Sequence, residues 1–225
     1  MAKIRYQCFH QGILYASYKN RVLYKPQDEI EWKTYLIVKD LTKLNNLELY
    51  KRLLREGIHN YYKIDSRFDA IVLKGKIQFY KDKKLINTLI VENGSRPLRS
   101  GIVYKAGYII YSEYHGNVAR NPVKVYKYDY VNNVKDTLYT FKDIRHIHFI
   151  QEDICDYDSV YIGTGDFDKE CGIYKFNIKN KSINKVGGGS QLWRAVSIVQ
   201  IDGYLYWGTD DPDGQNFIIK YDFTN

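Results

Sequence analysis

The stretch RVLYK, Arg21 to Lys25, is the first of five copies of one short phrase that decides the fold of this 225-residue chain. Each copy joins an aliphatic residue to aromatic residues and a lysine, a composition typical of a β-strand. The other copies are KIQFYK (Lys76 to Lys81), KVYKYD (Lys124 to Asp129), GIYKFN (Gly172 to Asn177) and FIIKYD (Phe217 to Asp222). Successive copies begin 55, 48, 48 and 45 residues apart when counted between their aliphatic residues. A repeat of about 40 to 50 residues built from short strands predicts a β-propeller, in which each sheet, or blade, packs against its neighbours.

Two further phrases recur in a fixed order around these copies. For the phrase that precedes each copy we predict the second strand of a blade: GILYAS, AIVLKG, YIIYSE, VYIGTG and YLYWGTD. For the phrase that follows four of the copies we predict the outer strand: KTYLIV, LINTLIV, DTLYTF and SINKVGG. The sequence therefore predicts an all-β chain, one β-propeller domain over 1–225 with about five four-stranded blades, of which the last is incomplete. The expected blades cover approximately 3–40, 57–92, 99–142, 144–188 and 191–225.

The incomplete fifth blade has two explanations, because an open blade leaves unpaired backbone groups that propellers usually protect. The N-terminal stretch KIRYQCF could supply the missing strand and close a five-bladed ring. Alternatively, Asn225 ends a piece of a larger propeller, and further C-terminal blades or a partner protein complete it. We expect the second explanation.

One segment departs from the strand pattern. DLTKLNNLELYKRLLREG, from Asp40 to Gly57, places Leu44, Leu47, Tyr50 and Leu54 on one helical face. This spacing predicts an inserted helix near 40–56, either packed on the surface of a blade or overhanging one end of the propeller.

Composition excludes several classes of function. The formal charge of +8 could indicate a nucleic-acid ligand, but most lysines fall in turns or at alternating strand positions, where they solvate a surface, so we expect no nucleic-acid partner. The N-terminus lacks an apolar signal core, and no apolar run approaches about 18 residues, so we expect no membrane span. Three sparse cysteines do not suggest a disulfide framework. Together these features favour a cytoplasmic location.

Propeller topology predicts where polar side chains meet, because the starts of the first strands and the links between second and third strands lie at the same end of the blades. The first group includes Arg99, Arg145, His146, His148, Gln191, Trp193 and Arg194. The second group includes Glu113, Asp166, Glu170 and Asp210. Acids and bases gathered at one mouth predict a site for a polar ligand.

Several interpretations of this group stay open at the level of sequence. Arg99, Arg145 and Arg194 could bind one anion together, or each could pair with a nearby carboxylate. Glu113, Asp166 and Glu170 are candidate catalytic carboxylates for glycoside hydrolysis, and His146 is a candidate general base. Gln191, His148 and Asp210 are candidate ligand-binding residues, and Trp193 could stack on a sugar. We expect no cofactor, with a divalent metal at His146 and His148 as the alternative.

The chain resembles the sialidase-like, BNR-repeat β-propeller proteins found among bacterial and archaeal polysaccharide genes. The phrases that carry the resemblance are SEYHGN, IRHIHFI, GTGDFDKECGIYKF, GGGSQLWRAVSI and YWGTDDPDGQNFIIKYD. The Asp box of true sialidases, SxDxGxxW, is only partly matched, by KPQDEIEW (Lys25 to Trp32). The resemblance implies a glycan-active or glycan-binding propeller, a glycosidase or polysaccharide lyase if it is an enzyme, whose arginines hold an acidic sugar. The alternative is a non-catalytic interaction or scaffold propeller in polysaccharide biosynthesis.

Overall fold

A computed structural model describes residues 4–39, 57–92 and 100–223 of the chain. The chain divides into two compact units, Met1–Arg96 and Pro97–Asn225, and each unit contains whole sheets. The predicted helix near 40–56 and the candidate residue Arg99 lie outside the described residues. The single domain over 1–225 stays a prediction.

The first unit contains two four-stranded antiparallel sheets, each with its strands in chain order. The first sheet consists of β1 (Arg5–His10), β2 (Ile13–Tyr18), β3 (Arg21–Pro26) and β4 (Lys33–Ile37). The second sheet consists of β5 (Asn60–Lys63), β6 (Phe68–Leu73), β7 (Lys76–Lys81) and β8 (Lys84–Ile90). The N-terminal stretch that could have completed the fifth blade thus forms the first strand of its own sheet, paired with β2.

The second unit contains three antiparallel sheets, and the last of them has three strands. The third sheet consists of β9 (Ile102–Lys105), β10 (Tyr108–Ser112), β11 (Val123–Asp129) and β12 (Val134–Phe141). The fourth sheet consists of β13 (Ile147–Glu152), β14 (Ser159–Thr164), β15 (Gly172–Asn177) and β16 (Ile183–Gly188). The fifth sheet consists of β17 (Val199–Ile201), β18 (Tyr204–Gly208) and β19 (Ile218–Asp222), and a short 3-10 helix, Gln191–Trp193, precedes it. One sheet for each repeat confirms the predicted β-propeller fold and its incomplete last blade.

The repeated phrases supply the cores between sheets, because alternate residues of a strand point to opposite faces. In the first unit, Val22 and Tyr15 of the first sheet pack against Tyr61 and Ile71 of the second. In the second unit, one core joins the third sheet to the fourth and a separate core joins the fourth sheet to the fifth. No helix among the described residues is long and apolar enough to cross a membrane.

Asp153 ties the three sheets of the second unit together at the end of β13. Its carboxylate lies 2.7 Å from Lys175 Nζ and accepts a hydrogen bond from Gln200 Nε2 at 3.1 Å. Its backbone carbonyl accepts a hydrogen bond from Lys105 Nζ at 2.8 Å. The Asp153 side chain is only 1% exposed, and these contacts compensate its burial. They fix the fourth sheet relative to its neighbours, and with it the opposite end of β13, where the polar cluster lies.

A β-bulge shapes the start of β13. The pairing with β14 shifts between Ile147 and Phe149, so that His148 is the extra residue. Ile147 and Ile150 accordingly share the core with the third sheet, although they are three residues apart, and Phe149 packs in the core with the fifth sheet. Bulges redirect side chains near functional sites, and this one directs His148 away from both cores.

Candidate functional site

The link between β14 and β15 turns Asp166 back over the start of β13. Gly165 begins the link with a φ of +82°, and a Cβ there would meet the Glu170 backbone at 2.2 Å, so only glycine fits without displacement. The Gly165 amide donates to the His146 carbonyl at 3.0 Å, and Thr164 Oγ1 donates to the Glu170 carbonyl at 2.8 Å. These bonds hold the link, residues 165–171, in one conformation.

The Asp166 carboxylate is the centre of the polar cluster. Its Oδ2 lies 3.0 Å from Arg145 Nη1. Its Oδ1 lies 3.3 Å from Arg194 Nη2, 3.1 Å from His148 Nε2 and 3.2 Å from His146 Nε2. The His148 contact is a hydrogen bond, whereas His146 Nε2 is not aligned for one. Five of the residues that the sequence singled out therefore meet at one carboxylate, here called the Asp166 cluster: Arg145, His146, His148, Asp166 and Arg194.

The electrostatics of the cluster keep Asp166 ionised. Burial alone would raise the pKa of Asp166, but the adjacent His146 and His148 imidazoles outweigh it and hold the pKa well below its usual range. A carboxyl group that stays ionised cannot serve as a general acid near neutral pH. It can serve as a metal ligand or as the partner of a cation.

The two arginines of the cluster differ in their freedom. Arg194 is 15% exposed and also donates from Nη1 to the Asp166 carbonyl at 3.1 Å. Arg145 is 33% exposed, and the Nε atoms of both arginines are buried without a hydrogen-bond partner in the described structure. Arg194 therefore holds the link in place, whereas Arg145 has donors that can turn toward a ligand.

Backbone pairing shows that the two arginines are not equivalent by position. The amides of Gly165 and Asp210, which occupy the same position in the fourth and fifth repeats, donate to the carbonyls of His146 and Arg194, respectively. Arg194 therefore occupies the position in the fifth repeat that His146 occupies in the fourth. Arg145 lies one residue before this position in the fourth repeat. The predicted convergence of Arg145 and Arg194 is real, but the anion between them is the side chain of Asp166.

Glu170 holds a second pair of contacts beside the cluster. Its Oε1 accepts a hydrogen bond from Arg120 Nε at 2.7 Å, and its Oε2 accepts one from the Arg145 amide at 2.9 Å. The Glu170 side chain is 10% exposed. Both oxygens are thus occupied by groups of the protein, which favours a positioning role over a catalytic one.

The remaining candidate residues lie around the cluster. Gln191 Nε2 donates to the Asp166 carbonyl at 3.2 Å and to Asp168 Oδ1 at 2.9 Å. Asp210 lies 3.9 Å from Arg194 Nε and is 55% exposed. Glu113 lies just after β10 and is buried at 5% exposure.

Trp193 packs into the core of the fifth sheet. Its ring centroid lies 5.2 Å from that of Trp207 and 5.4 Å from that of Tyr221. A Cβ on Gly187 would come within 2.1 Å of the Trp193 ring, so the indole covers that glycine closely. These contacts favour a packing role for Trp193.

Two clefts of about 520 Å³ each open beside Asp166. The first, here called the arginine cleft, is lined by Arg145, Asp166, Arg194 and the loop 211–214. The second, here called the side cleft, is lined by Arg120 and residues 168–170. Phe167 and Gln191 line both clefts. Their volume lies in the range of small-molecule sites.

Three contributors were not singled out from the sequence. Arg120 binds Glu170, the Tyr114 ring lies 4.2 Å from the His146 ring, and Phe167 lines both clefts. All three lie in the same β10–β11 and β14–β15 links as the predicted acids. Their place in these links is the signal that could have identified them, since a search for polar residues alone does not select tyrosine or phenylalanine.

Comparisons with protein-family models and with curated proteins give no match. Solved structures do match, and they are propellers of diverse kinds at low identity. BBS1N in complex with ARL6DN has a TM-score of 0.56 at 12% identity, with 97% of this chain and 61% of that chain covered. Sqt1 of Saccharomyces cerevisiae has a TM-score of 0.56 at 8% identity, with 93% and 55% covered. An oligogalacturonate lyase in complex with manganese has a TM-score of 0.57 at 12% identity, with 93% and 54% covered.

These likenesses concern the fold alone, because identity between the sequences is far too low to carry a site from one protein to another. The chain also spans only about six tenths of BBS1N and about half of the other two proteins. Their common feature is the β-propeller, which hosts unrelated functions. Function must therefore be argued from the Asp166 cluster itself.

Proposed function

We propose that the arginine cleft binds an acidic carbohydrate, with the sugar carboxylate held by Arg145 and Arg194. The observation that carries the proposal is the convergence of both guanidinium groups on one carboxylate at the wall of an open cleft. A guanidinium group presents five N–H donors in a planar fork, so it can bind Asp166 and a ligand carboxylate together. Arg145, at 33% exposure, is the arginine that would reach the ligand first.

The sialidase-like resemblance and one structural neighbour support the same class of ligand. Sialidase-like propellers use arginines to hold an acidic sugar, and the neighbour is by its name a lyase of oligogalacturonate, an acidic sugar chain. Oligogalacturonate is therefore the first probe to use. The proposal concerns binding, and catalysis is a further step.

Among catalytic mechanisms, the cluster favours a histidine base over a pair of carboxylates. Glycoside hydrolysis usually needs one protonated carboxyl group, whereas the pKa of Asp166 is held low and both Glu170 oxygens accept hydrogen bonds. His146 and His148 both lie next to the carboxylate of Asp166, and this carboxylate would orient either imidazole for proton abstraction. If the chain is an enzyme, we expect a polysaccharide lyase rather than a glycosidase.

Binding of trigalacturonate measured by isothermal titration calorimetry tests the proposal, with EDTA present to exclude metal effects. We expect Arg145→Gln to weaken binding about 10- to 100-fold, as for a lost charge-assisted hydrogen bond. Lys179→Gln is the matched control, since it removes the same charge from an exposed turn at the opposite end of β15. Equal affinity of the wild-type protein for trigalacturonate and for neutral trigalactose would refute the role of the arginines.

A divalent cation at His146, His148 and Asp166 is a second candidate, and the distances from Asp166 Oδ1 to the two histidine nitrogens favour it. Asp166 Oδ1 lies 3.2 and 3.1 Å from the two Nε2 atoms, and one ligand atom of each residue lies within 4.8 Å of the ligand atoms of the other two. Adjacent ligands of a metal with bonds of about 2.1 Å are separated by about 3.0 to 3.4 Å, depending on the coordination angle. Two imidazoles and a carboxylate suit Zn²⁺ or Mn²⁺.

Thermal unfolding with Zn²⁺ or Mn²⁺ tests the metal site. We expect the metal to raise the midpoint of the wild-type protein, and the rise to disappear in His148→Gln. His115→Gln is the control, because His115 does not belong to the group of three. A rise that survives in His148→Gln would exclude this site.

One observation supports the alternative function, a non-catalytic interaction propeller. Arg145 and Arg194 already pair with Asp166, as expected if their role is structural. One structural neighbour is likewise a propeller crystallised in a protein complex. Failure of the wild-type protein to bind acidic or neutral saccharides, with or without metal, would favour this alternative.

A further inference from the structure

We infer that the arginine cleft and the side cleft form one groove that runs over Phe167, so that the ligand is an oligosaccharide whose second sugar ring stacks on this phenylalanine. The inference rests on the proposed carbohydrate function and adds the chain length of the ligand and a residue that selects it. Phe167 and Gln191 line both clefts, so a ligand that passes from one cleft to the other must cross them.

Phe167 has the exposure that stacking requires. Phe167 is 55% exposed, although contact of an apolar ring with water is unfavourable in free energy. Exposed apolar residues occur singly on most proteins, and exposure alone indicates no function. Phe167 differs because it lines two clefts, beside the charged groups of the Asp166 cluster.

The ring of Phe167 is also held in place. The Arg120 guanidinium lies over it, with Cζ 5.1 Å from the ring centroid. Arg120 is itself fixed by Glu170 Oε1 and by the Val118 carbonyl, each at 2.7 Å. The Phe167 carbonyl accepts hydrogen bonds from the amides of Glu170 and Cys171 at 2.8 and 2.9 Å. A ligand that stacks on a ring already fixed loses little conformational entropy in ordering it.

The proposed role of Phe167 also explains why Arg120 and Glu170 are held in place, although neither has a role in the proposed catalysis. Glu170 orients Arg120, and Arg120 supports the ring of Phe167, so both act as positioning residues for the second sugar. The aromatic ring offers an apolar surface to the C–H face of a sugar, while Arg145 and Arg194 bind its acidic neighbour. The groove thereby discriminates a disaccharide from a monosaccharide.

Calorimetric binding of galacturonate and digalacturonate tests the inference. We expect the wild-type protein to bind digalacturonate more tightly than galacturonate, and Phe167→Ala to weaken the binding of digalacturonate about 3- to 10-fold and to weaken that of galacturonate less. Phe167→Trp should restore the preference for the dimer. Tyr157→Ala is the control, since Tyr157 is 72% exposed and lies at the opposite end of β13 and β14.

The outcomes separate the inference from the proposed function. If the wild-type protein binds neither sugar, the proposed carbohydrate function itself fails. If the protein binds both sugars through Arg145, but Phe167→Ala leaves the dimer affinity unchanged, the groove over Phe167 is overturned and the arginine site remains. Because Phe167 is exposed, the variant should unfold at the same temperature as the wild-type protein, and this check excludes a folding defect.

Discussion

Replacement of Asp166 by asparagine tests the electrostatic centre of the second unit directly. Asparagine keeps the shape of the side chain and an acceptor oxygen, but it removes the charge that faces Arg145 and Arg194. Breaking a buried ion pair by removing one partner typically costs about 3–5 kcal/mol. Arg145 is one third exposed, so water compensates part of its loss. We expect Asp166→Asn to lower the free energy of unfolding by about 2–4 kcal/mol at pH 7.

The effect should depend on pH with a definite sign. The pKa of Asp166 is lower in the folded protein than in the unfolded chain, so the carboxylate stabilises the fold above the unfolded pKa of about 3.9. As the pH falls below that value, the unfolded chain takes up a proton that the folded protein resists. The wild-type protein then loses stability and the asparagine variant loses less. The difference between the two should therefore shrink steadily below about pH 4.

Urea denaturation followed by tryptophan fluorescence is a suitable assay, because Trp193 and Trp207 lie in the core between the fourth and fifth sheets. Asp213→Asn is the matched control, since Asp213 lines the same cleft but is exposed. Its effect should stay within about 0.5 kcal/mol. A change below 1 kcal/mol for Asp166→Asn at pH 7, or a change that does not vary with pH, would refute the role of the carboxylate charge.

Further predictions concern packing and charge elsewhere in the chain. Gly163→Ala places a Cβ 2.1 Å from Phe149 Cε1, so we expect a loss of about 1–3 kcal/mol in urea denaturation, whereas Gly208→Ala, with open space around it, should be nearly neutral. Recovery of stability in a Gly163→Ala, Phe149→Leu double variant would support the clash, and its absence would contradict it. Lys63→Met leaves Asp69, at 0% exposure, without its cation. We expect this variant to lower the free energy of unfolding by about 3–5 kcal/mol, measured by denaturation followed by far-UV circular dichroism. Lys33→Met breaks the exposed pair with Glu29 and should lower the free energy of unfolding far less; equal losses for the two lysines would contradict the role of burial.

The sequence by itself determined the fold and the neighbourhood of the site. The repeated phrases place aliphatic and aromatic residues at alternating positions, and because a strand points alternate side chains to opposite faces, this pattern fixes the strands, their order and the cores. The same topology predicted that Arg145, His146, His148 and Arg194 would meet the link that contains Asp166. Local periodicity and chain direction are sufficient for these conclusions, since both are written in the order of residues.

Only the tertiary structure decided which side chains pair and which stay open. Asp166 occupies the space between two arginines, Glu170 is bound by Arg120, and Trp193 lies in a core rather than in a cleft. The partners are separated by tens of residues, from 21 between Asp166 and Arg145 to 50 between Glu170 and Arg120. Their distances depend on a bulge at His148, on the positive φ of Gly165 and on the packing of neighbouring sheets. A pattern along one strand carries no information on such distances, because they arise only when several sheets pack together.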